Sequence, residues 1–211
     1  YLAETEAVIT ASASSSCAAE GLWRTTATGT APVQSPFRDV ANSDWFFDPV
    51  MYVVERGLFQ GTSGTTFEPM STMSRSMLVT VLYRLAGQPA VTGTNPFSDV
   101  PAGTWYTDAV IWAAQTGIVT GAGDGTFAPD DQITREQIAV MLHRYCAYFG
   151  HDAAARADVT TFRDHDSISS FASDSVSWAV AIGLLQGSDS RLSPTNSATR
   201  CEVATMLQRF D

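Results

Sequence analysis

Apolar residues recur at helical spacing in six short windows, and the windows come in pairs. The first window of each pair holds Val50, Val53 and Val54; then Val110, Ala113 and Ala114; then Val176, Ala179 and Val180. The second holds Leu78, Val81, Leu82 and Leu85; then Ile138, Met141, Leu142 and Tyr145; then Val203, Met206, Leu207 and Phe210. Spacings of i, i+3, i+4 and i+7 mark one buried face of an α-helix. Polar residues frame these windows. Asp48, Asp108 and Asp174 each stand nine residues before a glycine (Gly57, Gly117 or Gly183), which predicts a helix between an Asp N-cap and a glycine at C′. Pro49 suits the first helical position. The second helices are predicted to open at Ser74, Thr134 and Thr199. Thr134 with Gln137, and Thr199 with Glu202, read as capping boxes. Ser74 has Met77 at the reciprocal place, so its box is incomplete.

Between the two helices of a pair the chain turns at Gly61, Gly121 or Gly187 and runs through a loop. In the middle copy this loop reads Gly121-Ala-Gly-Asp-Gly-Thr-Phe127-Ala-Pro129. Pro69, Pro129 and Pro194 precede Arg75, Arg135 and Arg200 by six residues, and a leucine follows each arginine by seven. Each copy opens on Phe-x-Asp, with Asp39, Asp99 and Asp164 as its acids. Trp45 and Trp105 lie eight residues after the opening Phe, and Phe171 lies nine after its own, a one-residue slip in the third copy. A frame held three times is a structural repeat. One helix pair cannot bury its own stripe, but three pairs around a common axis can. The expectation is an all-α domain of three helix-loop-helix repeats, residues 37–96, 97–161 and 162–211, with pseudo-threefold symmetry and loop-built lobes. Residues 1–36 do not fit the frame and read as a partly ordered lead-in, with Leu22-Trp23 available to dock on the domain.

Composition narrows the function. Hydrophobic residues make up 45 % of the 211, enough for a core. The net charge is −10, the wrong sign for a nucleic-acid surface. All 12 basic residues are arginine; guanidinium forks suit planar anions, although a usage bias in the genome explains the same fact more simply. The three cysteines form no C-x-x-C pair, so neither a zinc site nor a disulfide framework is indicated; at most one intrachain bridge can form, leaving one thiol, and Cys146 and Cys201 read in preference as small helix residues. His143, His151 and His165 lack metal-ligand spacing. Asp124, Asp130 and Asp131 lack EF-hand spacing. No hydrolase, nucleotide-binding or metalloprotease motif occurs, so no cofactor and no catalysis are expected. No apolar run approaches the ~18 residues of a membrane helix. The chain opens on Tyr1 without a signal-peptide pattern, and so reads as a processed product or a piece of a longer protein.

In the middle copy Phe97-Ser-Asp99-Val100, the aromatic Trp105, Gly117-Ile-Val-Thr-Gly121, Gly125-Thr-Phe127-x-Pro129 and Ile133-Thr-Arg-Glu136 follow one another in fixed order. Together they resemble the repeat of the S-layer homology (SLH) family, and the resemblance runs from Phe37 to Asp211. It implies three repeats forming one spindle-like domain. It implies a secreted protein held non-covalently at the cell surface on a bacterial cell-wall polysaccharide, typically a secondary wall polymer bearing a pyruvate ketal. The family's sites lie in grooves between lobes, and its Thr-Arg-Ala-Glu motif contributes the helix-start arginine, matched by Arg75, Arg135 and Arg200. The match is imperfect: the copies read Ser-Arg-Ser-Met, Thr-Arg-Glu-Gln and Thr-Arg-Cys-Glu. The third also has Ser190-Arg191-Leu192 for Gly-Thr-Phe, and His165 after its Asp, so its groove is expected to be altered or empty.

A ketal carboxylate on a neutral ring calls for a fixed cation beside free backbone donors. An arginine in the first turn of a helix supplies both. The bland alternative is that each arginine braces its lobe by pairing with Asp39 or Asp99. Those aspartates, and Asp164, either bond sugar hydroxyls or tie their own loop to backbone amides. Trp45 and Trp105 either stack on a sugar or belong to a lobe core, whereas Trp112 and Trp178 read as core. Gly61, Gly121 and Gly187 permit close backbone approach to a ligand or to the neighbouring turn. Glu136 and Glu202 read as helix caps. The competing readings are a two-carboxylate glycosidase and a protein-interaction or self-assembly module whose repeats build a surface layer or filament, with the region upstream of Tyr1 as a further route to self-assembly.

Overall fold

The second helix of each repeat starts at a hydroxyl cap, and those three starts are where the repeats meet. The computed structural model describes residues 34–210. It contains six α-helices: α1 Phe47–Glu55, α2 Arg75–Leu85, α3 Thr107–Gln115, α4 Arg135–Tyr148, α5 Ser173–Ala181 and α6 Arg200–Phe210. No strand forms among the described residues beyond isolated bridges, and no helix there is long and apolar enough to cross a membrane. The all-α expectation holds. The lead-in, with Cys17 and Leu22-Trp23, lies outside the described residues.

At the head of α2 the Ser74 hydroxyl accepts from the Met77 amide at 3.3 Å. Thr134 and Gln137 close a reciprocal box at 3.3 Å each way. Thr199 and Glu202 close another, at 2.7 and 3.4 Å. A helix leaves its first amides without internal partners, and here the next repeat supplies acceptors. The amides of Arg75 and Ser76 donate to Asp131 and Pro129 carbonyls; those of Arg135 and Glu136 to Asn196 and Pro194; those of Arg200 and Cys201 to Ser71 and Pro69. Between these ends Met73 donates to Ala198, Ala198 to Ile133 and Ile133 to Met73, at 2.9–3.0 Å. The ring of three closes the pseudo-threefold axis.

Helices pair across repeats. α2 packs on α3, α4 on α5, and α6 returns to α1. A lobe is therefore the second helix of one repeat against the first helix of the next. One continuous core results. Val79, Thr80, Ala139, Val140 and Ala204 are buried beside the expected stripes, because each second helix faces both that core and its neighbour's helix.

The first helices differ from expectation at their starts. Asp48, Asp108 and Asp174 do not cap; the N-cap positions are Phe46, Tyr106 and Ala172, without side-chain cap bonds. A backbone turn initiates α1 and α3 instead, with Phe47 donating to Asp44 and Thr107 to Thr104. The three aspartates sit in the first turn, where the positive helix end favours them. Asp174 also grips Arg156 through two bonds of 2.6 Å, which pins the connector after α4 onto α5. Gly57, Gly117 and Gly183 end these helices as expected, at φ of 66°, 74° and 74°.

The slip in the third repeat is taken up by a 3₁₀ turn, His165–Ser167. Just beyond it Ser169 donates its amide and hydroxyl to the Glu136 carboxylate at 2.9 and 2.7 Å. Glu136 is thus not a cap. It is buried, only 4 % exposed, and holds the next repeat's loop. The expectation for Cys146 also needs correcting. Cys146 is disulfide-bonded, while Cys201 is a free, buried thiol.

Candidate ligand-binding grooves

Each helix-start arginine lies at the first position of its helix and reaches toward the neighbouring repeat. Nε of Arg75 donates to the Phe127 carbonyl at 2.9 Å, Nε of Arg135 to Leu192 at 2.9 Å, and Nε of Arg200 to Phe67 at 2.8 Å. The guanidinium of Arg75 lies 4.9 Å from the Phe127 ring centre and that of Arg200 lies 4.4 Å from the Phe67 ring. Leu192 offers Arg135 no ring. Among the described residues only Arg135 of the three makes an ion pair, with Glu202 at 3.7 Å. Arg200 makes a second bond, to the Gln60 carbonyl at 2.7 Å. Burial lowers the pKa of all three, opposed by nearby carboxylates.

The carbonyl that each arginine holds belongs to a loop braced from the other side. Asp39 accepts from the amides of Phe67 and Glu68 at 2.9 and 2.7 Å. Asp99 does the same for Phe127 and Ala128 at 2.8 and 2.7 Å, and Asp164 for Leu192 and Ser193 at 2.9 and 2.7 Å. Glu68, Ala128 and Ser193 have φ of 55°, 55° and 52°, a strained region for such residues. The carboxylates thus fix a costly conformation in a loop 28 residues on, rather than tying their own loop as an Asx turn would. Burial pushes the carboxyls of Asp39 and Asp164 up, but the loop amides outweigh it and hold both below the usual range.

Gly121 has φ of 75°, and a Cβ there would lie 2.6 Å from the Phe97 ring and from the Thr126 carbonyl. A Cβ at Gly187 would come 2.5 Å from Phe162, and one at Gly61 2.5 Å from the Ser63 carbonyl. The opening Phe of each repeat therefore rests on the glycine that turns its own loop.

Two grooves flank α4. One, of about 500 Å³, is lined by Arg75, the loop after Gly121, Gln137, Met141, Arg144 and Phe171. The other, of about 370 Å³, is lined by Arg135, the loop after Gly187, Glu202, Met206, Arg209 and Trp45. Each draws on all three repeats: an arginine from one, a loop and second helix from the next, an aromatic from the third. Trp45 and Trp105 are 63 % and 62 % exposed and Phe171 is 60 % exposed, so none of them is lobe core. Trp45 and Trp105 stand edge-on against Phe46 and Tyr106. Trp112 and Trp178 are buried as expected. Trp105, Gly61 and Arg200 hold the equivalent places in the remaining interval.

The grooves also contain residues that the sequence reading passed over. Arg84, Arg144 and Arg209 follow the helix-start arginines by nine residues in every copy, a signal open to inspection. They donate to the carbonyls of Leu58, Ile118 and Leu184 at 2.8, 3.5 and 3.5 Å. Nine residues make two and a half helical turns, so the two arginines of α4 lie on opposite sides, Arg135 in one groove and Arg144 in the other. Each groove thereby faces two guanidinium groups from different helices. No cluster of metal-ligating side chains occurs among the described residues.

Comparison with known proteins agrees with the three-repeat frame. The S-layer homology domain family matches residues 36–76, 96–139 and 161–204. An endoglucanase of Bacillus sp. (strain KSM-635) is 34 % identical over 173 residues, 82 % of this chain and 18 % of the relative. An amylopullulanase of Thermoanaerobacterium thermosulfurigenes is 30 % identical over 172 residues, 81 % of this chain and 9 % of the relative. The S-layer protein sap of Bacillus anthracis is 26 % identical over 175 residues, 83 % of this chain and 21 % of the relative. The chain thus spans about a fifth or less of these relatives.

Proposed function

The chain belongs to the S-layer homology domain family, and from that premise we propose that it is a non-catalytic module that anchors a protein to a bacterial cell-wall polysaccharide. The three repeats act as one domain, with residues 1–36 as its lead-in. The grooves beside α4 are the binding sites, and an acidic glycan, such as a polymer bearing a pyruvate ketal, is the ligand. The observation that carries this reading is the facing pair of guanidiniums in each groove. Arg75 and Arg144, or Arg135 and Arg209, stand beside an exposed aromatic. A carboxylate fits the forks, while Phe171 or Trp45 offers a face to the sugar ring. The aspartates act on this site indirectly, by fixing the loop that each arginine grips.

Two further facts support the reading. Relatives named for different activities share this one stretch, a small part of their length, as expected of an attachment module. The disulfide at Cys146 suits an oxidising surface location. Co-sedimentation of the chain with purified wall polymer tests the proposal. Binding should fall at least about tenfold, ~1.4 kcal/mol, after chemical removal of pyruvate. Undiminished binding after that treatment contradicts the ketal mechanism, and no binding to the intact polymer contradicts the anchoring role.

A further inference from the structure

The three helix-start arginines are equivalent in position and unequal in surroundings. Arg75 feels Asp131 and Asp99, and Arg200 feels Glu68 and Asp39; in both cases the neighbours favour the charged guanidinium. Arg135 feels Glu202 and Asp164 but also the like charge of Arg209. The sequence explains the difference at two places. Two residues after the repeat proline stand Ser71, Asp131 and Asn196, so the acid that faces Arg75 is an amide where Arg135 sits. Immediately before the loop's apolar anchor stand Thr66, Thr126 and Arg191.

Arg135, Arg191 and Arg209 therefore line one groove, with Glu202 as its carboxylate. Glu202 is itself committed to the cap: one oxygen accepts from the amide and hydroxyl of Thr199 at 2.7 and 2.9 Å, and the other faces Arg135. Three guanidiniums against two carboxylates, Glu202 and the Asp164 that acts on both Arg135 and Arg191, leave one positive charge unbalanced. The groove around Arg75 holds Arg75 and Arg144 against Asp131, with Asp99 also acting on Arg75, and leaves none. Like charges held together in a concave site repel, and an anion relieves that repulsion; of the three, Arg135 is the desolvated one and Arg191 and Arg209 are exposed.

We propose that the groove of Arg135, Arg191 and Arg209 takes a doubly charged anionic group, a phosphate monoester or two adjacent carboxylates, and that Arg191 sets this preference. The inference rests on reading the grooves as the polymer sites. It makes the third copy's departure from Gly-Thr-Phe a change of ligand charge rather than a loss of the site.

The test is NMR of the arginine Nε–H groups in the full chain, at constant ionic strength. The titrants are methyl phosphate, malonate and pyruvate, at about pH 7.5 where a phosphate monoester is largely dianionic. Arg135 and Arg209 should respond to a dianion at about tenfold lower concentration than to pyruvate, a difference of ~1.4 kcal/mol. Arg75 and Arg144 should show no such preference. Arg191→Thr, which installs the residue of the other two copies at an exposed position, should abolish the preference. A response to methyl phosphate alone identifies a phosphate site, and equal responses to both dianions identify charge count as the determinant. Equal midpoints for all three anions, or an unchanged preference in Arg191→Thr, overturn the inference. Co-sedimentation with wall polymer is run alongside. Anion preference without polymer binding removes only the anchoring role, and polymer binding without anion preference removes only this inference.

Discussion

Arg75 illustrates how one side chain serves two purposes. Its Nε edge holds the Phe127 carbonyl of the next repeat, and the guanidinium also lines the groove. Arg75→Ala should therefore lower polymer affinity about tenfold and lower stability by about 1.5–3 kcal/mol, the range for a hydrogen bond to a charged group. Titration calorimetry and denaturant unfolding measure the two. Arg75→Lys keeps the charge but loses the fork, so it should recover part of the stability and little of the affinity. Gly121→Ala should destabilise by about 2 kcal/mol or more, since the conformation is left-handed and the added carbon meets Phe97. The loop aspartates make a pH prediction. Asp39 and Asp164 have folded pKa values below their unfolded ones, so their contribution is full above the ordinary Asp value of about 3.9 and is lost as pH falls through the lower folded value. Urea unfolding across that window should show the loss, and Asp39→Asn should flatten it. The Asp of Phe-x-Asp was legible as a brace, but not its partners: Asx-type bonding is local, whereas each carboxylate bonds amides 28 and 29 residues on. The second arginine was legible too, nine residues on, but a helix-face argument ranks apolar positions and passes over a cation two and a half turns away.

At the scale of elements, the second helices owe their starts to two sources, their own caps and the neighbour's carbonyls. Thr134→Ala removes only the first and should cost about 1 kcal/mol, read from the thermal midpoint. Glu136 belongs at this scale because it ties the start of α4 to the loop that carries Phe171. Glu136→Gln leaves the Ser169 amide and hydroxyl competing for one acceptor. It should destabilise by about 1–3 kcal/mol and broaden the Phe171 ring signals in NMR, with the Trp45 and Trp105 signals unchanged. The caps of α2, α4 and α6 were readable because Ser or Thr with a partner three residues on specifies its own geometry. The starts of α1, α3 and α5 were misplaced by two residues. A backbone turn begins α1 and α3, and a first-turn Asp looks the same in sequence as a capping Asp. The 3₁₀ turn of the third repeat was visible only as a one-residue slip.

For the whole molecule, the decisive fact is that each lobe joins consecutive repeats and α6 closes on α1. Cutting the chain after residue 161 deprives α4 of α5 and α1 of α6. The truncated chain should lose cooperative unfolding and near-ultraviolet dichroism rather than remain two folded repeats. Periodicity showed that three stripes needed burying together, and so the all-α threefold plan. It could not show which helix covers which, because a stripe records that a face is covered and not by what. The grooves inherit that limit: their walls come from three repeats, and no single stretch of sequence contains one. Trp45 illustrates this, lying in the first repeat while lining a groove of the second and third.

The central claim, that paired guanidiniums between repeats grip an acidic glycan, is tested most directly by a co-structure with a short pyruvylated fragment of the wall polymer. The account predicts the ketal carboxylate about 3 Å from guanidinium nitrogens of Arg75 and Arg144, or of Arg135 and Arg209, with a sugar ring against Phe171 or Trp45. A fragment seated away from both grooves, with those arginines untouched, would contradict it.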